Sequence, residues 1–531
     1  MTTKRAAMVA LSLTALLLVA TGGGQTPRAR AGSGSSGFEL RDVQRLLSQW
    51  RTAEATKVYG AVARDKPRDP AVAFVGGRVD FYNGHYERAV AKMSRAMRYI
   101  ASPPSTLRRM VSLARSTAAT VKGYKRVLGR GGHFAFYVRP GKDEILLRFA
   151  SETLEAVRAR LQSDLGYAPP DVIRVEIYGK TTDLASVSSL TEKDIERTGT
   201  IALCKYNRLM IVSPRALLRG YTWRDTLAHE YVHLVVSRLS HNQVPIWLQE
   251  GLAKFFEARW RLGPEAPPPL SPVQRHLLAE AIAPRGKLIK WRAMHPSMAK
   301  LPSQRHTALA FAQAQTAVQM LAARKPGALR EMIAAMRAGA DAWQAVKRAT
   351  GLGRRAFAGV YRKYLRGLGL KRMPGMHPPK RRFGKRLSKE KRLLRIRETK
   401  ARKYFRLADM LRQRQLTRAA IIEYRKARTL VGKRDSLVAN ALARAYLEIG
   451  EHDKASNVLL PVLEYYPEMA GPQVTLATAY LRAGNKPAAA RHFKIALRVN
   501  PFNPAVHCGL SSALPDGDEA KAHRAICQQL R

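Results

Sequence analysis

The sequence predicts a multidomain chain: a central α+β domain flanked on both sides by all-α helical repeats. With 531 residues and 46% hydrophobic content, the chain is long enough to bury several cores. Short strand-like runs fall between His133 and Val212, and helical segments follow up to Leu365, the order of an α+β domain. Near the C-terminus Ala420, Ala455 and Ala489 recur at intervals of 35 and 34 residues, the period of stacked helical hairpins.

The N-terminus reads as an export signal. Lys4 and Arg5 precede an apolar run from Ala6 to Ala20, and Gly22-Gly23-Gly24 follows. The run is short for a membrane span, so cleavage is expected, after Thr21 or at Ala29-Arg30-Ala31. The expected location is periplasmic or extracellular, with membrane association through an uncleaved N-terminus as the alternative. Residues 1–31 are thus signal peptide and the start of a tether, and Arg30 to Gly37 is too rich in Gly and Ser to build a core. Residues 38–126 form a helical region. Within it Pro70 to Met97 fits one repeat unit, with Gly77, Gly84, Tyr86, Ala89, Met93 and Ala96 at packing positions. Leu40 to Asp65 reads as a degenerate partner unit.

The central domain is placed at 127–370. Its expected elements are a strand over His133 to Val138, a helix over Lys142 to Leu165 and a strand over Ile173 to Tyr178. Thr200 to Leu203 and Leu209 to Val212 are expected to pair as a hairpin around Lys205-Tyr206-Asn207-Arg208. Thr222 and Asp225 fit a capping box, and Leu227, Tyr231, Leu234 and Val235 form the apolar stripe of the helix that follows.

That helix carries His229-Glu230-Tyr231-Val232-His233. Residues four apart share a helix face, so His229 and His233 can grip one zinc ion while Glu230 lies beside it. A carboxylate there is placed as a general base toward water at the metal. Sixteen residues separate His233 from Glu250, which lies in a second apolar run opened by Pro245. Glu250 is the candidate third ligand, and two His, one Glu and an open position make a catalytic zinc set. Metal-assisted hydrolysis of a peptide or protein substrate is the expected chemistry, with Zn2+ as cofactor.

Residues 371–400 read as a basic linker, broken by Met373-Pro374-Gly375 and His377-Pro378-Pro379 and dense in Lys and Arg from Lys380 to Arg397. Residues 401–531 hold the C-terminal repeats. Ala443, Tyr446 and Gly450 match Ala477, Tyr480 and Gly484, Pro467 and Pro501 close successive units, and Asn503 to Arg531 forms a capping helix pair. This period is similar to that of tetratricopeptide repeats, which implies a surface for a protein partner.

The stretch Trp247 to Glu257 resembles the Trp-Leu-Asn-Glu-Gly segment of aminopeptidase-N-like gluzincins, in which the Glu ligates zinc. The central segment as a whole resembles bacterial peptidase-MA-like domains, strongly over Asp225 to Glu257 and more weakly over Ala308 to Leu352. The resemblance implies a gluzincin fold with tetratricopeptide repeats beside it. It also implies that a strand in the region Arg208 to Ser213 pairs with the extended substrate backbone. It places Phe311 where many such domains carry a Tyr that stabilises the oxyanion. Phenylalanine has no donor, and Arg305 and His306 are the nearest replacements, His306 being read first as a surface residue. His133 and His241 have no motif partner.

Three cysteines exclude a disulfide-dense scaffold. Cys204 falls in the expected hairpin as a small buried residue. Cys508 and Cys527 lie nearly equidistant from a turn near Pro515 to Asp518, so they are expected to face across the capping pair and to bridge in an oxidising compartment, or else to fill its seam as small apolar residues. The net charge of +54 attracts polyanions. Anionic envelope polymers or lipid surfaces are the expected partners, specific nucleic-acid binding is not, and plain solvation by Arg is the simplest alternative. For the chain as a whole the competing reading is a non-catalytic repeat scaffold carrying a degenerate peptidase domain.

Overall fold

The computed structural model describes residues 35–263, 267–295, 297–298, 301–376 and 393–531. The expected signal sequence, and the linker from His377 to Arg392, lie outside the described residues. Among those described, no helix is long and apolar enough to cross a membrane.

The N-terminal region is all helix: α1 Ser35–Ser48, α2 Thr52–Asp65, α3 Pro70–Tyr82, α4 Tyr86–Met97 and α5 Ser105–Val121. Asp69 caps α3 by accepting from the Ala71 amide at 2.7 Å, and Pro70 takes the first helical position. Tyr86, Ala89, Met93 and Ala96 form the buried stripe of α4, the spacing that faces one helix onto its partner.

Five strands follow in a mixed sheet: β1 Lys125–Leu128, β2 Phe134–Val138, β3 Ile173–Tyr178, β4 Ala202–Lys205 and β5 Arg208–Val212, in the order β1-β2-β3-β5-β4. β2, β3 and β5 run parallel, while β1 and β4 lie antiparallel on the two edges. A short 3-10 turn and then α6 Leu146–Leu165 cross from β2 to β3, and α7 Thr181–Ser186 and α8 Glu192–Thr198 cross to β4. The β4–β5 hairpin turns on Tyr206 and Asn207, both with positive φ, the two-residue geometry that matches strand twist. This left-handed pair is held from outside: the Tyr206 ring meets Phe81 and Tyr82 edge-on, and Asn207 bonds Thr52 and Arg238. The expected substrate-pairing role of Arg208 to Ser213 is corrected here. β5 is an inner strand, with both rows of backbone groups bonded to β3 and β4, so the unpaired edge belongs to β4.

N-terminal helices and sheet are joined by a buried polar knot. Glu176 on β3 accepts from Tyr86 at 2.5 Å and from Arg174 at 2.6 Å, and Arg208 on β5 lies 3.4 Å away. Glu176 and Arg208 are almost fully buried, so each carries the partner that offsets the other's desolvation.

Helices dominate thereafter: α9 Trp223–Leu239, α10 Ile246–Phe256, α11 Pro272–Ala281, α12 Gln304–Arg324, α13 Ala328–Arg337, α14 Ala342–Thr350 and α15 Arg354–Gly367. After the linker come four hairpins, α16 Thr399–Gln413 with α17 Thr417–Val431, α18 Ser436–Glu448 with α19 His452–Tyr465, α20 Ala470–Arg482 with α21 Lys486–Val499, and α22 Pro504–Ala513 with α23 Asp518–Leu530. The later hairpins share one core with the sheet domain, through residues such as Phe493, Val506 and Leu510. At this junction the Tyr221 amide donates to the Val499 carbonyl at 3.1 Å. Gly220 permits the approach: its φ is +67°, and a Cβ there would stand 2.1 Å from the same carbonyl oxygen.

Candidate metal centre

Helix α9 is a core element. Leu227, Ala228, Tyr231, Val232, Leu234, Val235 and Val236 are all essentially inaccessible, so the backbone that carries His229 and His233 is fixed by packing. Its start differs from expectation. Thr222 makes no side-chain cap bond. Asp225 instead accepts two bonds from Arg261, at 3.1 and 2.9 Å. A buried carboxylate gains more from a bidentate guanidinium than from amide capping.

Helix α10 begins behind Pro245 and brings Glu250 across from α9. Gly251 allows this helix to lie directly on α12, since a Cβ there would stand 2.7 Å from the Ala314 carbonyl oxygen. His229 Nε2 and His233 Nε2 are 3.1 Å apart, and Glu250 Oε2 lies 3.3 and 3.5 Å from them. These are the three groups whose ligand atoms gather within 4.8 Å of one another. A tetrahedral zinc ion with bonds of about 2.0–2.1 Å sets its ligand atoms about 3.3 Å apart. Two imidazoles and a carboxylate at that spacing fit zinc in both donor chemistry and size.

Outer partners orient both rings. His229 Nδ1 meets Glu257 Oε2 at 2.9 Å, and Lys254 holds the other Glu257 oxygen at 2.9 Å. His233 Nδ1 lies 3.2 Å from Gln249 Oε1, whose amide donates to Ser237 at 3.2 Å. Each ring thus turns Nε2 inward. Sequence reasoning missed Gln249, Lys254 and Glu257 in these roles. The signal was available for one of them: Glu250 and Glu257 are seven apart and share a face of α10.

Electrostatics follow from burial and these carboxylates. Burial lowers the His229 imidazole, but its bonds to Glu250 and Glu257 outweigh that and lift it to about 9. Burial lowers His233 too, and Glu250 raises it more. Against its own burial, Glu250 is held well below the carboxylate range by the two imidazoles. The cluster is an electrostatic well for positive charge.

Glu230 stands apart from the three ligand atoms. It is buried, which raises its carboxyl, and it accepts a bond from the Cys204 amide of β4. Cys204 is a free thiol raised by the same burial. Phe311 on α12 packs edge-on to His229, with ring centroids 6.4 Å apart, and the Lys254 ammonium lies 5.6 Å from the Phe311 centroid. The two candidate replacements for a Tyr are engaged elsewhere: Arg305 pairs with Glu280, and His306 Nδ1 bonds Ser303 at 2.7 Å at the start of α12. His133 pairs with Glu155 at 2.9 Å, and His241 sits in the left-handed region past the end of α9. Cys508 and Cys527 form a disulfide between α22 and α23, with α-carbons 5.1 Å apart.

The family model of the Peptidase MA superfamily matches residues 153–367, which include every residue of the metal cluster. No curated protein matches the chain significantly. Among solved structures, the APC/C hetero-tetramer Cut9-Hcn1 aligns over 98% of this chain and 81% of that one, at 12% identity and a TM-score of 0.25. Native leukotriene A4 hydrolase from Saccharomyces cerevisiae aligns over 77% of this chain and 67% of its own, at 11% identity and a TM-score of 0.30. Likenesses this faint carry no weight for fold or function. The family match is the finding that bears on the site: residues 153–367 match the model of the Peptidase MA superfamily.

Proposed function

We propose that the chain is an exported zinc metallopeptidase of the gluzincin type, with repeats that bind a protein partner or the substrate. One observation carries the reading: His229, His233 and Glu250 present three ligand atoms at tetrahedral spacing, with the buried carboxylate of Glu230 beside them and outside the set. These three residues would hold zinc, which when bound polarises a scissile carbonyl and acidifies water at the site. Glu230 takes the proton of the attacking water and returns one to the leaving amine. Burial supports this role, because it raises the carboxyl toward the range in which a base can also act as an acid.

The substrate lies extended along the free edge of β4. In the antiparallel β4–β5 ladder, Leu203 and Lys205 face β5, which leaves the backbone groups of Ala202 and Cys204 turned to the open side. The Cys204 amide is given to Glu230, so the outward carbonyls and the Ala202 amide remain for a peptide backbone. Export is supported by the N-terminal apolar run and by the Cys508–Cys527 disulfide.

The test is metal content of the purified chain together with cleavage of a peptide library with and without a chelator. One zinc per chain and chelator-sensitive cleavage are expected. Absence of both sinks the proposal.

One observation favours a second reading, a binding domain without turnover: Phe311 offers no donor beside His229. Zinc retained at one per chain with no peptide cleaved, and cleavage appearing in Phe311→Tyr, would establish that reading instead.

A further inference from the structure

Six of the ten exposed large apolar residues among those described fall between 394 and 430: Leu394, Leu407, Met410, Leu416, Ile422 and Leu430. Four of them lie at the same end of the hairpin formed by α16 and α17. Leu407 and Met410 lie within two turns of the end of α16, Leu416 is in the connection, and Ile422 is in the second turn of α17. Antiparallel helices bring these positions to the same level. Each is more than two-fifths exposed, whereas the opposite faces of both helices are closed by Ala401, Phe405, Ala408, Ala420, Tyr424 and Ala427. The apolar side chains are therefore not a misplaced part of the core.

Their neighbours are cations. On α16 the solvent stripe reads Lys403, Leu407, Met410, Arg414, at helical spacing, with Arg406 beside it, and on α17 it reads Arg418, Ile422, Arg425 and Lys426. Over residues 395–434 there are fourteen Lys and Arg against three acids, a net +11 in forty residues. The chain's +54 over 531 residues would give about +4 for that length. The three acids are all engaged: Glu398 caps α16, Asp409 accepts from Tyr424, and Glu423 pairs with Lys426.

We propose that this end of the α16–α17 hairpin docks on an anionic lipid bilayer, with Leu407, Met410, Leu416 and Ile422 entering the headgroup–acyl boundary and the surrounding cations meeting lipid phosphates. Aliphatic side chains inside a cationic rim fit that boundary, where both kinds of group are satisfied at once. A nucleic acid or an anionic polysaccharide would use the rim and leave the aliphatic groups in water.

Co-sedimentation of the full chain with vesicles tests this. The chain should bind phosphatidylcholine vesicles containing phosphatidylglycerol, bind phosphatidylcholine alone much more weakly, and lose binding as salt rises. Joint replacement Leu407→Ser, Met410→Ser and Ile422→Ser keeps every charge and should weaken binding by at least about tenfold. Arg414→Gln with Arg418→Gln should weaken it by about fivefold per charge removed. Leu416→Trp should tighten it with the thermal unfolding midpoint unchanged, because Trp favours the interface. Three results overturn the proposal. In the first, the serine variant binds anionic vesicles as tightly as the parent, so that charge alone retains the chain. In the second, neutral vesicles bind as well as anionic ones. In the third, neither vesicle binds, whether or not an acidic helical peptide or a nucleic acid does.

Discussion

Glu257 Oε2 accepts from His229 Nδ1 at 2.9 Å, on the side of the ring away from Glu250. A second, half-buried carboxylate thereby turns Nε2 of that ring toward the other two donors. Glu257→Ala should weaken zinc binding by about 10–100-fold with the fold intact. Glu257→Gln keeps an acceptor and should lose less. Titration against a competing chelator measures both, and an unchanged affinity in Glu257→Ala would show that the carboxylate does not support the ligand.

Glu230→Gln should keep one zinc per chain and lower peptide hydrolysis by about 10²–10⁴-fold. The substitution removes the base and leaves the three ligand atoms of His229, His233 and Glu250 in place. His233→Ala should instead lose the metal. Metal content and initial rates, taken on the same preparations, separate the two. Hydrolysis at the parent rate in Glu230→Gln would refute the mechanism.

Cys508 and Cys527 are joined and Cys204 is free. Thiol titration of the unfolded, unreduced chain should find one free thiol, and three would exclude the bridge. The loop closed by the bridge spans 19 residues, for which loop-closure entropy gives about 3 kcal/mol. Cys527→Ser should therefore loosen the α22–α23 pair, read as faster amide exchange there than in α18 to α21.

Two buried histidines give the terminal hairpin a pH dependence. His507 Nε2 donates to the Pro501 carbonyl at 2.8 Å, so its Nδ1 carries the lone pair that meets His523 Nδ1–H at 2.9 Å. Burial lowers both rings, and the field of His507 helps bring His523 to about 4. A folded pKa below the unfolded value of 6.5 means that the unfolded chain binds the proton more readily. Stability is then full above pH 6.5 and falls as pH drops toward 4. For His523 the loss is on the order of 3 kcal/mol. Thermal unfolding between pH 7 and pH 4 should show it, and His523→Gln, which keeps a donor to His507, should flatten it.

The shared helix face of His229 and His233 and the periodic parts of the fold were legible in the sequence, because both are local. His229 and His233 are one helical turn apart in any helix that includes them, and Ala443, Tyr446 and Gly450 repeat because each hairpin packs on the next by the same rule. Strand β3, Ile173–Tyr178, was legible from its β-branched run. Four things were decided only by tertiary structure. Asp225 left the expected cap because Arg261, 36 residues away, offers a bidentate partner in a buried place. The free sheet edge fell to β4 rather than β5 because strand order depends on crossovers, and periodicity does not encode those. Glu257 and Gln249 became orienting partners only once α10 crossed α9 at a particular angle. The capping hairpin joined the domain core because Phe149 found His523, 374 positions further along the chain. In each case the deciding partner lies on another element, and its position is set by packing that the local pattern of residues does not specify.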